Sequence, residues 1–170
     1  LLPFVGINAC RYYRDINFEL KNSWNKRFNT TLTMLDVIID KGVALGGPLG
    51  VQGDIKAKVG VIEGTYRHEN RKSSRAVIQH LWTKQDKKNW VGLVYEYNFS
   101  TSLNLFIADG WNYGSSDKIH YYNVGGSYSK NNTRLSLNYG RQRGGLICVG
   151  GVCRYVPENT GINLNLNLVF

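Results

Sequence analysis

The chain is poor in the residues that build helices. Only five of its 170 residues are Ala, five are Glu and one is Met. A helical bundle draws on those residue types, so an all-α fold is excluded. No apolar run approaches the roughly 20 residues that a membrane-spanning helix requires, which removes helical membrane proteins as well. Histidine is scarce, and His68, His80 and His120 are scattered without the spacing of a zinc site. Cysteine is scarce too, with Cys10, Cys148 and Cys153 only. Proline numbers three. Disorder is excluded by the balance of 42% hydrophobic against 19% charged residues. What is present instead is Gly, 19 residues, with 18 Asn and 11 Tyr. That is a β-rich vocabulary with many turns, and the length suits one domain over residues 1–170.

The dominant pattern is alternation with period two. In the last segment Ile162, Leu164, Leu166, Leu168 and Phe170 share one parity, and Gly161, Asn163, Asn165 and Asn167 share the other. A strand sorts these residues onto two faces, whereas a helix scatters them around its axis. The same alternation predicts strands at 11–24, 30–40, 55–68, 75–84, 89–99, 102–111, 118–130, 133–143 and 160–170. Most are about 10 to 13 residues long. Strands of soluble proteins average about 5 to 6, and a tilted strand crossing a bilayer needs about 9 to 11.

The connections are asymmetric. Short joints at 25–29, 69–73, 100–101 and 131–132 fall on the side where Phe170 ends. The longer ones, at 41–54, 110–117 and 144–159, fall opposite, with one short turn at 85–88. Short periplasmic turns with longer outer loops characterise outer-membrane barrels. The expected fold is therefore all-β, an antiparallel transmembrane barrel of up-and-down meander type with its C-terminus periplasmic. Backbone polar groups in lipid must be paired internally, so such a sheet has to close. Nine strands is an odd count, and single-chain bacterial barrels are even. Together with a chain that opens abruptly on Leu1-Leu2-Pro3-Phe4, this makes the nine the expected last strands of a larger barrel. A closed eight-stranded barrel is the alternative.

On this reading the polar parity lines a lumen: Asp15, Asn17, Glu19, Lys21, Glu96, Arg134, Asn163, Asn165 and Asn167. The apolar parity faces lipid, with Tyr95, Tyr97, Tyr121, Tyr122, Tyr128 and Tyr139 in the interfacial girdles. Cys148 and Cys153 flank Val149-Gly150-Gly151-Val152, and this spacing suits a disulfide-closed turn in an oxidising compartment. Cys10 has no evident partner.

The formal charge of +9 invites a nucleic-acid reading. The cations are spread over turns and loops (Lys26, Arg27, Arg71, Lys72, Lys84, Lys87, Lys88, Arg141, Arg143, Arg154) rather than set in a stripe with aromatics, so no nucleic-acid partner is expected. Phosphates of a surface glycolipid suit them better. No nucleophile elbow, phosphate loop or paired-acid motif is present, and no Lys-Ser/Thr follows the glycines of 42–53. No catalytic residue, metal or cofactor is expected.

Several stretches carry a family resemblance: Tyr66-Arg67-His68-Glu69-Asn70-Arg71, Gln79 to Asp86, Trp111 to Gly114, Ile119 to Asn123, and above all Tyr139 to Gly144 leading into Cys148 to Arg154 and Val156 to Gly161. From about Tyr66 to Phe170 the chain resembles the C-terminal part of an uncharacterised outer-membrane β-barrel family of Bacteroides-type bacteria. Its members are much longer than 170 residues and carry no established substrate, so the resemblance implies location and fold only. The alternation ending on Phe170 resembles the signal read by the barrel-assembly machinery, placed here on Ile162, Leu164, Leu166, Leu168 and Phe170. The functional expectation is a pore or transport role, or a membrane-embedded component of a larger outer-membrane complex with other outer-membrane proteins as partners. The alternatives are a non-conducting scaffold of a secretion or nutrient-uptake assembly, a soluble β-barrel or sandwich binding module, and, least favoured, an enzyme.

Overall fold

The structure is a computed structural model that describes residues 13–40, 53–84, 88–149 and 152–168, with side chains not described at 145–149 and 152–156. It contains eleven strands: β1 (Tyr13–Ser23), β2 (Phe28–Asp40), β3 (Asp54–Arg67), β4 (Ser73–Thr83), β5 (Trp90–Asn98), β6 (Leu103–Trp111), β7 (His120–Lys130), β8 (Thr133–Gln142), β9 (Gly145–Val149), β10 (Val152–Val156) and β11 (Asn159–Leu168). Nine of them form one antiparallel meander in the order β1-β2-β3-β4-β5-β6-β7-β8-β11, and β9 pairs with β10 as a separate hairpin. All nine strands expected from periodicity are present within a few residues. The region 144–159, expected as a long connection holding a Gly-rich turn between Cys148 and Cys153, contains the hairpin, with those two residues directly opposed. Its signal was Gly150-Gly151 between Leu146-Ile147-Cys148-Val149 and Val152-Cys153-Arg154-Tyr155-Val156, the composition of a tight two-residue hairpin turn.

Local chemistry makes the short turns. In 24–27, the side-chain oxygen of Asn25 accepts hydrogen bonds from the backbone N–H groups of Arg27 and Phe28, both at 2.8 Å. In 99–102, the Ser100 hydroxyl accepts from the N–H groups of Ser102 and Leu103, both at 3.1 Å. Asn131, in the two-residue connection 131–132, adopts a left-handed φ of 52°, which Asn tolerates better than most residues. The four connections at this rim, 24–27, 68–72, 99–102 and 131–132, are all five residues or shorter. Those at the other rim, 41–53, 84–89, 112–119 and 143–158, run from six to sixteen.

Register then sorts the whole sheet. One row of directly opposed residues runs Asn22, Thr30, Gly64, Ala76, Tyr95, Ile107, Val124, Tyr139, Ile162. The row one residue away runs Ser23, Asn29, Thr65, Arg75, Glu96, Phe106, Gly125, Asn138, Asn163. Because side chains alternate strictly along a strand, the first row lies on one face and the second on the other. The apolar face bears Ile16, Phe18, Leu20, Met34, Ile62, Ile78, Leu93, Ile107, Leu137 and Leu164, all exposed. The polar face is the more crowded: along β3, β6 and β7 exposed apolar-face residues alternate with half-buried polar-face ones. No other layer covers either face among the described residues, so this asymmetry means that the sheet curls with its polar face inward.

The register is also staggered in one direction. The row that starts at Phe28, the first residue of β2, passes through Tyr66, Ser74, Tyr97, Leu105, Gly126 and Leu137 to Leu164, four residues inside the end of β11. Strands that slip steadily in this way are tilted against the axis about which the sheet curls, as closure into a barrel requires. The sheet is not closed: among the described residues β1 pairs only with β2, and β11 only with β8.

The described residues form no ordinary core. Among the described residues Val77, 8% exposed, is the one buried hydrophobic side chain. A two-sheet sandwich would bury the leucines between its layers, and this single sheet leaves them open. Glycine adapts the surface where the sheet must bend. Gly60 lies under the Trp82 ring, where an added Cβ would come within 3.2 Å of it, and Gly64 lies under Phe28 at 3.6 Å. Large rings lying over strand glycines cover backbone that would otherwise be bare.

Candidate functional site

The densest polar chemistry lies on the inward face at β3, β4 and β5. Arg75 stands directly opposite Glu96 and diagonally from Glu63. Its guanidinium forks to both: one nitrogen donates to Glu63 Oε2 at 2.7 Å, the other to Glu96 Oε2 at 3.1 Å. The three side chains are 39%, 31% and 31% exposed. They are partly screened, so each pair contributes about 1 kcal/mol rather than the several of a fully buried pair. Lys21 lies in the same register row as Glu63, two strands away through Thr31, and pairs with Glu19 at 2.7 Å. A belt of alternating charge therefore crosses β1 to β5.

Amides outnumber charges on the rest of this face. Asn104 donates to Asn98 Oδ1 at 2.9 Å, and Asn98 donates to the Ser73 hydroxyl at 3.0 Å. Asn138 donates to Asn123 Oδ1 at 3.2 Å, and Asn167 to Asn165 Oδ1 at 2.7 Å. Amides offer both donors and acceptors without charge, so this half can hydrate or hold polar solutes of either sign.

The expected lumen residues all fall on the inward face. Asp15, Asn17, Glu19 and Lys21 lie along β1, and Asn163, Asn165 and Asn167 along β11 opposite Asn138, Ser136 and Arg134. Glu96 is drawn into the Arg75 cluster, while Arg134 sits between Ser129 and Asn167. Ile162, Leu164, Leu166 and Leu168 line the apolar face of β11, exposed by 51% or more. Phe170 and Cys10 lie outside the described residues. Cys148 and Cys153 are directly opposed in the β9–β10 hairpin, and their side chains lie outside the described ones.

Tyr121 departs from expectation. It belongs to the inward row with Gly110, not to the outer girdle, and stacks on Trp90 at 5.6 Å. Arg143 lies over the same Trp90 ring at 4.7 Å. Arg141 donates to Glu158 Oε1 at 2.8 Å through Nε, and so is part of this rim. On the outer side of the rim, His80 shares a 2.7 Å hydrogen bond with Tyr113 and packs against Trp82, while Asp109 pairs with His120 at 2.7 Å beneath Trp111. No group of three or more potential metal ligands is assembled among the described residues.

Sequence reasoning missed Arg75, Glu63, Asn98, Asn104, Asn123 and Asn138 as a connected lining. Parity was the available signal. Each occupies the polar position of its strand, but which neighbour each meets depends on long-range register.

The model of a family of unknown function matches residues 2–170. The chain belongs to that family, DUF6029. Neither the curated proteins nor the solved structures yield a match. The charged belt and amide ladder are thus features of a DUF6029 chain, and their role has to be read from geometry.

Proposed function

We propose that this chain forms part of a bacterial outer-membrane β-barrel, with its polar face lining a lumen and a role in passing or holding polar solutes. One observation carries the reading: a single antiparallel sheet exposes its mid-strand apolar side chains on one face and carries the Arg75 ion cluster and the amide ladder on the other. In water such an apolar face would be an aggregation liability far beyond the few hundred Å² that monomers tolerate. In hydrocarbon it is the correct surface. Strands of 9 to 14 residues in the nine-stranded sheet are tall enough to cross.

The edges of β1 and β11, unpaired among the described residues, bear directly on assembly, since free backbone groups in lipid cost several kcal/mol each. Closure comes from further strands, in keeping with a larger barrel of the Bacteroides-type outer-membrane kind. The exposed apolar face of β11 fits recognition by the barrel-assembly machinery. The C-terminal rim, with its short turns, is periplasmic, and Cys148–Cys153 forms a disulfide on the outer side. The test is to isolate the native protein from outer membranes, compare heated and unheated gel mobility, and record bilayer conductance. Heat-modifiable migration with stable single-channel steps is expected. A chain that stays in solution without detergent would overturn the reading.

The ion-paired Arg75 cluster favours a second reading, a non-conducting scaffold of a larger complex, because a cross-linked polar face is also what a plugged lumen looks like. Heat-modifiable migration without conductance, together with co-purifying partners, selects it.

A further inference from the structure

The outer wall carries a second feature, away from the lumen. At the long-loop rim an open groove on the apolar side is lined by Arg14, Lys56, Lys58, Lys84 and Lys88, with Asp36 and Asp54 as its acids. Among the described lining residues five cations stand against two acids. These are not only loop residues. Arg14, Ile38 and Lys56 form one register row, and Ile16, Asp36, Lys58 and Trp82 form the row of the same face two residues nearer mid-strand. The next rows on that face run Phe18, Met34, Gly60, His80 and then Leu20, Leu32, Ile62, Ile78. The wall therefore passes, within about 14 Å of strand, from cations through an exposed Trp to bare hydrocarbon side chains.

That sequence of surfaces matches one kind of molecule, an amphiphile with a phosphorylated head and acyl chains. We infer that this groove binds the phosphorylated head group of a glycolipid whose chains lie along Phe18, Leu20, Ile62 and Ile78. The inference rests on the barrel reading above and adds a ligand and a place. Charge complementarity selects the occupant. The phosphates of a head group suit a lining in which cations outnumber acids among the described residues, whereas a neutral head group gains nothing from them. Trp82, half-exposed at the level of the head-group boundary, suits the same position, since Trp favours that depth.

The experiment uses the full chain in phosphatidylcholine nanodiscs containing either a bis-phosphorylated glycolipid or its enzymatically dephosphorylated form, with bound lipid counted by native mass spectrometry. The triple variant Arg14→Gln, Lys56→Gln, Lys58→Gln is compared with Lys26→Gln, Arg71→Gln, Lys72→Gln, which removes equal charge from the opposite rim. The wild type is expected to retain the phosphorylated lipid at least about ten-fold better than the dephosphorylated one. The groove variant should lose that preference, and the control variant should keep it within about two-fold. Excess inorganic phosphate should not displace the lipid, because a free ion lacks the acyl chains. Equal retention of both lipids, equal loss in both variants, or displacement by phosphate alone would overturn the glycolipid site while leaving the barrel intact. A chain that does not enter nanodiscs at all would overturn the barrel reading, and the groove with it.

Discussion

The inward face has two halves built on one scaffold. Across β3, β4 and β5 it is ionic: Arg75 holds Glu63 and Glu96, and Val77 is buried beside them. Across β7, β8 and β11 it is mostly neutral, Arg134 apart: Asn123, Asn138, Asn163 and Asn165 alternate with Gly125, Gly140 and Gly161. On the outward face the two halves are alike, Ile62 and Ile78 in one, Leu137 and Leu164 in the other. At mid-strand the outward surface is apolar in both halves. The inward surface differs between them, with an ion-paired cluster in one half and an amide ladder in the other.

The sharpest way to test that contrast is to move charge across it. Leu137→Arg places a cation on the outward face and should lower the stability of refolding into lipid vesicles by about 2–4 kcal/mol, read by urea titration. Ser136→Arg, one residue away on the inward face, should change it by less than about 1 kcal/mol. Equal effects would mean that the faces are not solvated differently.

Within the ionic half, Arg75→Ala leaves two facing carboxylates without their counter-ion. A loss of about 1–2 kcal/mol is expected on the same titration, because the groups are partly exposed. Any conductance should shift towards cations. Arg75→Gln combined with Glu63→Gln and Glu96→Gln should recover most of the stability without the shift. The neutral half is sensitive to volume instead. An added Cβ at Gly125 would meet Asn138 Cβ at 2.5 Å and the Leu137 carbonyl oxygen at 2.6 Å. Gly125→Ala should therefore cost about 1–3 kcal/mol by overpacking. Gly161 has nothing within 4 Å, so Gly161→Ala should fall within about 0.5 kcal/mol of wild type. In the amide ladder the effect is smaller than at Gly125. Asn138→Ala removes one 3.2 Å hydrogen bond to Asn123 and should cost about 0.5–1 kcal/mol.

Most of the sheet was legible because alternation is local. The parity of Leu135, Leu137 and Tyr139 against Arg134, Ser136 and Asn138 is written in six consecutive residues, and the structure keeps it. The asymmetry of the rims was legible for the same reason, since it needs only strand ends. The lining was legible face by face but not contact by contact. Glu63 and Arg75 are twelve residues apart, Arg75 and Glu96 twenty-one, and only the register of two hairpins brings all three together. Tyr121 was misassigned because two tyrosines in succession must point opposite ways, and a composition argument for aromatic girdles counts both. The β9–β10 hairpin was passed over because its strands have five residues each, too few to display a period.

The unequal rims also bear on which insertions and deletions the gene can accept. The connection 131–132 has no spare residue, so adding or removing one there forces β8 to slip and turns Leu135, Leu137 and Tyr139 towards the wrong solvent, together with their neighbours on β11. The connection 143–158 can absorb the same change in slack. Length variation among sequences of this kind should accordingly accumulate at one rim and be nearly silent at the other.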